Sequence, residues 1–198
     1  MLSENSTALK EWAAVCLALA DGRQSLLIRK GGIAEGPGGF RLDRDEFWLY
    51  PTQFHQSADQ LADGTQELLQ RVAAAGPLQG RLLIETYAVV KEVAFVSEES
   101  GLDALAGRHV LSPEVVRQRF HYRRPGLFVA AVDVFRLPRP TELPDQPAYA
   151  GCHSWVELDH PLATAELTPV SRPETLVETV KLVQSLALAA GKATGENA

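Results

Sequence analysis

The chain predicts an α+β fold: one domain built on a mixed β-sheet flanked by helices. Three observations lead there. Gly126–Leu137 is almost unbrokenly apolar, as in a strand covered on both faces. Strand-like runs alternate irregularly with segments that open on helix caps at Ser57, Ser112 and Ser171. The 198 residues carry no internal repeat and no linker-like tract, so one sizeable core is expected, with residues 1–191 as the domain and 192–198 as a disordered polar tail.

The elements follow in order. Residues 11–33 read as a β-hairpin, with Asp21-Gly22 as the two-residue turn between an apolar run and Gln24–Lys30. Gly31-Gly32 ends the second strand, and a glycine-rich loop spans 35–39. A third strand lies within 40–50, strongest at Phe47–Tyr50, and Pro51 stops it. Ser57 and Gln60 form a capping box for a helix running to about Ala75, weakened by Gly64 and ended by Gly76-Pro77. Arg81–Val96 is a long β-prone run, and 97–107 is a loop with one helical turn. Ser112 caps a short helix with Pro113 in its first turn, ending near Phe120. After the apolar strand, four prolines between 138 and 147 mark a surface loop. Gly151–Leu158 is the last strand, and a capped helix runs from Ser171 to about Ala190.

Composition narrows the function classes. Apolar residues make up 45% and charged residues 22%, with a net charge of −6. An acidic chain has no global attraction for polyanions, so any phosphate or nucleic-acid site must be a local basic patch. Cys16 and Cys152 form no Cys-x-x-Cys pair and read as reduced, buried thiols. The N-terminal residues lack the basic and apolar blocks of a signal peptide, and no apolar run reaches membrane-spanning length, so a cytoplasmic protein with no membrane partner is expected. The five histidines show no zinc-ligand spacing, no Gly-x-Ser-x-Gly elbow is present, and no metal site is expected. No cofactor is indicated.

Several blocks carry a family likeness: Ala8–Ala13, Leu26–Ile33, Phe47–Thr52 with His55-Gln56, Arg124–Phe128 and Gly151–Val156. With these the chain resembles an uncharacterised bacterial family, domain of unknown function 1802, which implies no activity. A weaker resemblance is to the Nudix fold. Leu49–Thr52 precedes one helix and Trp155–Leu158 another, as in that fold, but Asp59, Asp63, Glu67 and Arg71 do not reproduce its metal-binding helix. That likeness implies fold without metal-dependent pyrophosphate hydrolysis.

Two constellations stand out. Arg29-Lys30 precedes two glycines at a strand end, where two cations and an open backbone suit a phosphate. Tyr50, Thr52, His55 and Gln56 lie between a strand and a predicted helix start, where free N–H groups favour an anion. The densest basic segment is 117–124, in which arginines interleave with Phe120, His121 and Tyr122.

The expected function is binding of a nucleotide, a phosphorylated metabolite or a short nucleic acid. Arg29 and Lys30 take the anion, His55 and Gln56 orient it, Thr52 borders it, and Trp48 or Tyr50 stacks. Arg123 and Arg124 add a rim of charge. Two other classes remain open at this point: a hydrolase of phosphate esters or nucleotides with His55 as general acid or base, and a protein-interaction module.

Overall fold

Ala13–Ala20 contains four alanines and two leucines and almost no polar atom, a composition that favours helix over strand. In the computed structural model, which describes residues 1–30, 35–36, 39–40, 44–53, 56–75, 80–151 and 153–195, this segment is helix α1, and it follows directly on strand β1 (Glu4–Trp12). The expected hairpin over 11–33 is therefore absent. Asp21-Gly22 ends a helix instead of turning a hairpin: Asp21 N–H donates to the Leu17 carbonyl and Gly22 N–H to that of Leu19, with Gly22 at φ +68°. The left-handed glycine suits either role, and the helix claims it.

Strand β2 (Leu26–Arg29) follows, then a short pair of strands, β3 (Glu35–Gly36) and β4 (Gly39–Phe40). Strand β5 (Glu46–Thr52) runs through Pro51. The helix expected over 57–75 is split. Ala58–Gln60 makes one tight turn, with Ser57 N–H donating to the Gln60 side chain. Gly64 then adopts φ +78°, and helix α2 occupies only Glu67–Ala74. Strand β6 (Arg81–Val96) and helix α3 (Pro113–His121) match their expected bounds closely, and Ser112 Oγ accepts from Val115 N–H.

Strand β7 (Leu127–Pro144) extends through the residues expected to be a proline-rich loop. The pairing explains how. Thr86 faces Arg136 and Ile84 faces Thr141, so one residue of β6 opposes four of β7. Pro138 and Pro140 fall in that bulge, where no ladder donor is missed. Strand β8 (Trp155–Ala163), the short β9 (Thr168–Pro169) and helix α4 (Pro173–Gly195) complete the chain.

The main sheet has the order β2-β7-β6-β5-β1-β8, with β9 on β7. It is mixed, because β1 and β5 are parallel while the other pairs are antiparallel. Alternating residues serve two cores. Phe47 and Leu49 join α1, α3 and α4 residues such as Leu19, Phe120 and Val183 in one. Trp48 joins Tyr87, Ile84 and Leu158 in the other. The sheet also curls until its ends meet: Arg29 on β2 donates to the carbonyl of Lys10 on β1 and to Ser154 beside β8. An α+β domain with a mixed sheet is thus what the chain forms.

Candidate functional site

The curl brings a carboxylate and two arginines together in a poorly solvated corner. Glu11 is the next-to-last residue of β1 and is 3% exposed. Its Oε2 accepts from Arg29 Nη1 at 2.8 Å, and its Oε1 accepts from the Trp12 backbone N–H at 2.8 Å. Arg119, from α3, brings its Nη2 to 3.9 Å of the same carboxylate. Burial alone raises the Glu11 pKa, but Arg29, Arg119 and the Trp12 N–H outweigh it and hold the carboxyl below its ordinary value. Two guanidiniums against one carboxylate leave this corner one positive charge in excess.

The surrounding groups fix that geometry. Arg119 Nη1 donates to the Ile28 carbonyl at 2.8 Å, and its guanidinium lies 4.7 Å from the centre of the Trp12 ring. Arg29 Nη2 donates to Ser154 Oγ at 2.8 Å. Thr52 Oγ1 donates to the Glu11 carbonyl at 3.1 Å. Gln56 donates to the Thr52 carbonyl and accepts from Ala14 N–H, which satisfies a free donor in the first turn of α1. His109 stands near Arg119, its Nδ1 accepting from Leu111 N–H. Burial first, then the Arg119 charge, push its pKa down to about 4, so its imidazole is neutral around pH 7.

Lys30 lies one residue beyond Arg29. Its ammonium donates to the carbonyls of Phe120 and Gly126, each at 2.8 Å, and to that of Arg124. An ammonium has three protons, and these carbonyls take all of them. Lys30 thereby fastens the turn after α3 to the end of β2. Arg123 and Arg124 sit on that turn, and Arg123 has φ +61° with its guanidinium 5.1 Å from the Tyr122 ring centre.

The expected site residues fall into four groups. Arg29 and Thr52 touch Glu11 and Gln56 is bound to Thr52, while Lys30 holds the adjoining turn that carries Arg123 and Arg124. Trp48 and Tyr50 face the other core: Trp48 is wholly buried, donating from Nε1 to the Asn5 carbonyl, and Tyr50 donates to Asp145 at 2.6 Å. Neither ring borders the arginine cluster, so stacking there would fall to Trp12. His55 and Cys152 lie outside the described residues.

Sequence reasoning missed Glu11, Trp12, Arg119 and Ser154. For Arg119 a signal existed: it lies four residues after Val115 and beside Phe120, on the buried stripe of α3. A charge on an apolar helix stripe calls for a buried partner. Glu11 had no such mark, because its strand ends where an unrecognised helix begins.

Two cavities are bordered by none of Glu11, Arg29 and Arg119. One of about 290 Å³ is bordered by Cys16, Leu49, Val72, Leu83 and Glu85. Burial pushes the Cys16 thiol well up from its ordinary value, which leaves it protonated and unreactive. The other, about 590 Å³, is bordered by Glu99, Asp103, His109 and Arg117. Among the described residues no group of three acidic, histidine or cysteine side chains is placed to hold a metal ion, and no helix is long and apolar enough to cross a membrane.

Residues 8–181 match the family described as Domain of unknown function (DUF1802). No curated protein matches the chain. Among solved structures, an ASCH protein from Zymomonas mobilis is similar at 11% identity, covering 87% of this chain and 91% of that one, with a TM-score of 0.46. Two mutants of that protein match at 12% and 13% identity over 89% and 92% of this chain and 96% and 99% of theirs, each with a TM-score of 0.45. The Nudix resemblance finds no support among these structures.

Proposed function

We propose that this chain, which belongs to the DUF1802 family, binds the phosphate of a nucleotide or short nucleic acid at the corner formed by Glu11, Arg29 and Arg119. The observation that carries this reading is the uncompensated charge: two arginines face one buried carboxylate, and each keeps part of its side chain at the surface, 16% for Arg29 and 20% for Arg119. Glu11 holds the arginines in place, and a phosphate supplies the missing negative charge through bidentate contacts. Ser154 adds a hydroxyl, and Trp12 adds a partly exposed ring beside Arg119. The excess is local, which suits an acidic chain that does not attract polyanions over its whole surface.

The test uses titration calorimetry with inorganic pyrophosphate and fluorescence anisotropy with a labelled single-stranded oligonucleotide, across a range of salt. Both probes are expected to bind, more weakly as salt rises. Arg119→Leu is expected to weaken both by about tenfold or more while circular dichroism stays native. Equal affinity for both probes in the wild type and in Arg119→Leu would rule the site out.

A further inference from the structure

Three features at the turn after α3 and on the β6 end beside it have no explanation in the packing of the core. Tyr122 is 57% exposed and Phe95 is 41% exposed, large aromatic surface for a chain rich in acidic groups. Arg123 is the only non-glycine among the described residues with a positive φ. Lys30 gives all three protons to carbonyls of this turn and the helix end before it.

These features are connected in space. Phe95 on β6 lies against Phe128 of β7, ring centres 4.8 Å apart and planes tilted by 45°, and Phe128 pairs in register with Arg29 of β2. Residues directly opposite across a sheet share a face, so Arg29, Phe128 and Phe95 form one row. The Phe95 ring rests on Gly126, where an added Cβ would come within 2.2 Å of the ring. The turn thus runs from exposed Tyr122, through two arginines, to a glycine that seats a second exposed aromatic ring. A left-handed arginine is costly, and strain of this kind collects where a side chain must be held in one place. Here the residue with that backbone, Arg123, has its guanidinium 5.1 Å from the Tyr122 ring centre.

We propose that this turn, clamped by Lys30, is a stacking arm for the unpaired bases of a single-stranded nucleic acid, with Tyr122 and Phe95 as the platforms and Arg123 and Arg124 on the phosphates between them. The proposal rests on the reading that phosphate occupies the neighbouring arginine corner, and it names the ligand as a strand with several unstacked bases. Aromatic faces flanked by arginine are the usual means of holding single strands without reading sequence. The role of Lys30 changes accordingly. It is a positioning residue that displays the arm and does not itself meet the ligand.

The experiment measures two probes on each variant: a fluorescein-labelled oligonucleotide of about twelve nucleotides, as RNA and as DNA, and inorganic pyrophosphate. Tyr122→Ser and Phe95→Ser are each expected to weaken oligonucleotide binding about tenfold and to leave pyrophosphate binding unchanged. Arg123→Gly is expected to keep or raise the melting temperature, because glycine accepts the left-handed backbone, while weakening the oligonucleotide. Lys30→Met is expected to speed amide exchange across 122–126 and to weaken the oligonucleotide. The arm is overturned if both serine variants bind the oligonucleotide within twofold of wild type, or if they instead abolish a concentration-dependent dimer, which would make the surface a protein interface. If Arg119→Leu weakens both probes while the serine variants change neither, the arm falls and the arginine corner stands. If the serine variants lose only the oligonucleotide while Arg119→Leu changes nothing, the corner falls and the arm stands.

Discussion

Glu11 decides the electrostatics of its corner. Removing a buried carboxylate that two partly exposed guanidiniums share leaves like charges facing each other. Glu11→Leu is therefore expected to lose about 3–5 kcal/mol of stability in urea unfolding. Replacing Glu11 and Arg29 together by leucine should cost less than the two single losses added, because the Glu11–Arg29 pair is then lost only once and Arg119 is the one guanidinium left without the carboxylate. The same corner makes the protein sensitive to acid. His109 has a folded pKa near 4, below its unfolded value, so the unfolded chain binds the extra proton. Its contribution is complete above about pH 6.5 and falls as pH drops from there towards 4, by about 3 kcal/mol at most. Glu11, also depressed, contributes above its ordinary carboxylate value and is lost at lower pH still. Unfolding free energies measured between pH 7 and pH 4 should decline in the wild type and stay nearly flat in His109→Gln down to the range where carboxylates protonate. At this scale the sequence marked Arg29 and Thr52 as candidates and hid Glu11, which both touch, because a glutamate at the end of a strand looks the same in solvent or buried.

Elements were legible where a local signal had one meaning. Strand β6 and helix α3 have such signals, a long β-branched run and a Ser-Pro start. Helix α1 had none, because it is apolar on every side and shows no helical period. Its terminal Asp-Gly then imitates a hairpin turn. The prolines of β7 misled for a related reason, since a bulge that removes the need for donors depends on the partner strand and not on the prolines. The turn after α3 gives a test at this level. Gly126 combines φ +128° with the Phe95 ring in the space of a side chain, so Gly126→Ala must shift either backbone or ring. It is expected to cost at least about 1 kcal/mol, read from the melting temperature, and to raise the fluorescence quenching or exchange rate at the β6–β7 end before any other region responds.

For the molecule as a whole, the fold class was readable because it depends on how many strands and helices there are and on one dominant apolar run. The site was less readable because it depends on closure of the sheet. Arg29, on one edge strand, reaches Lys10 and Ser154 near the other edge, and no pattern along the chain records that approach. Three segments distant in sequence, ending at Glu11, Arg29 and Arg119, become neighbours only when the sheet has curled.

The position of β1 has a consequence for how the chain acquires its shape. This strand precedes every other strand of its sheet, yet its two neighbours are β5 and β8, and its register with β8 joins Ala8 to Val156. While the chain is being synthesised, β6 and β7 can pair once the 97–126 connection with α3 has emerged between them, still well before β8. The opening strand keeps one edge bare for on the order of ten seconds, until β8 leaves the ribosome. The arginine corner is therefore completed late: Glu11 meets Arg119 only once α3 has emerged, and Arg29 meets Ser154 only once the segment before β8 follows.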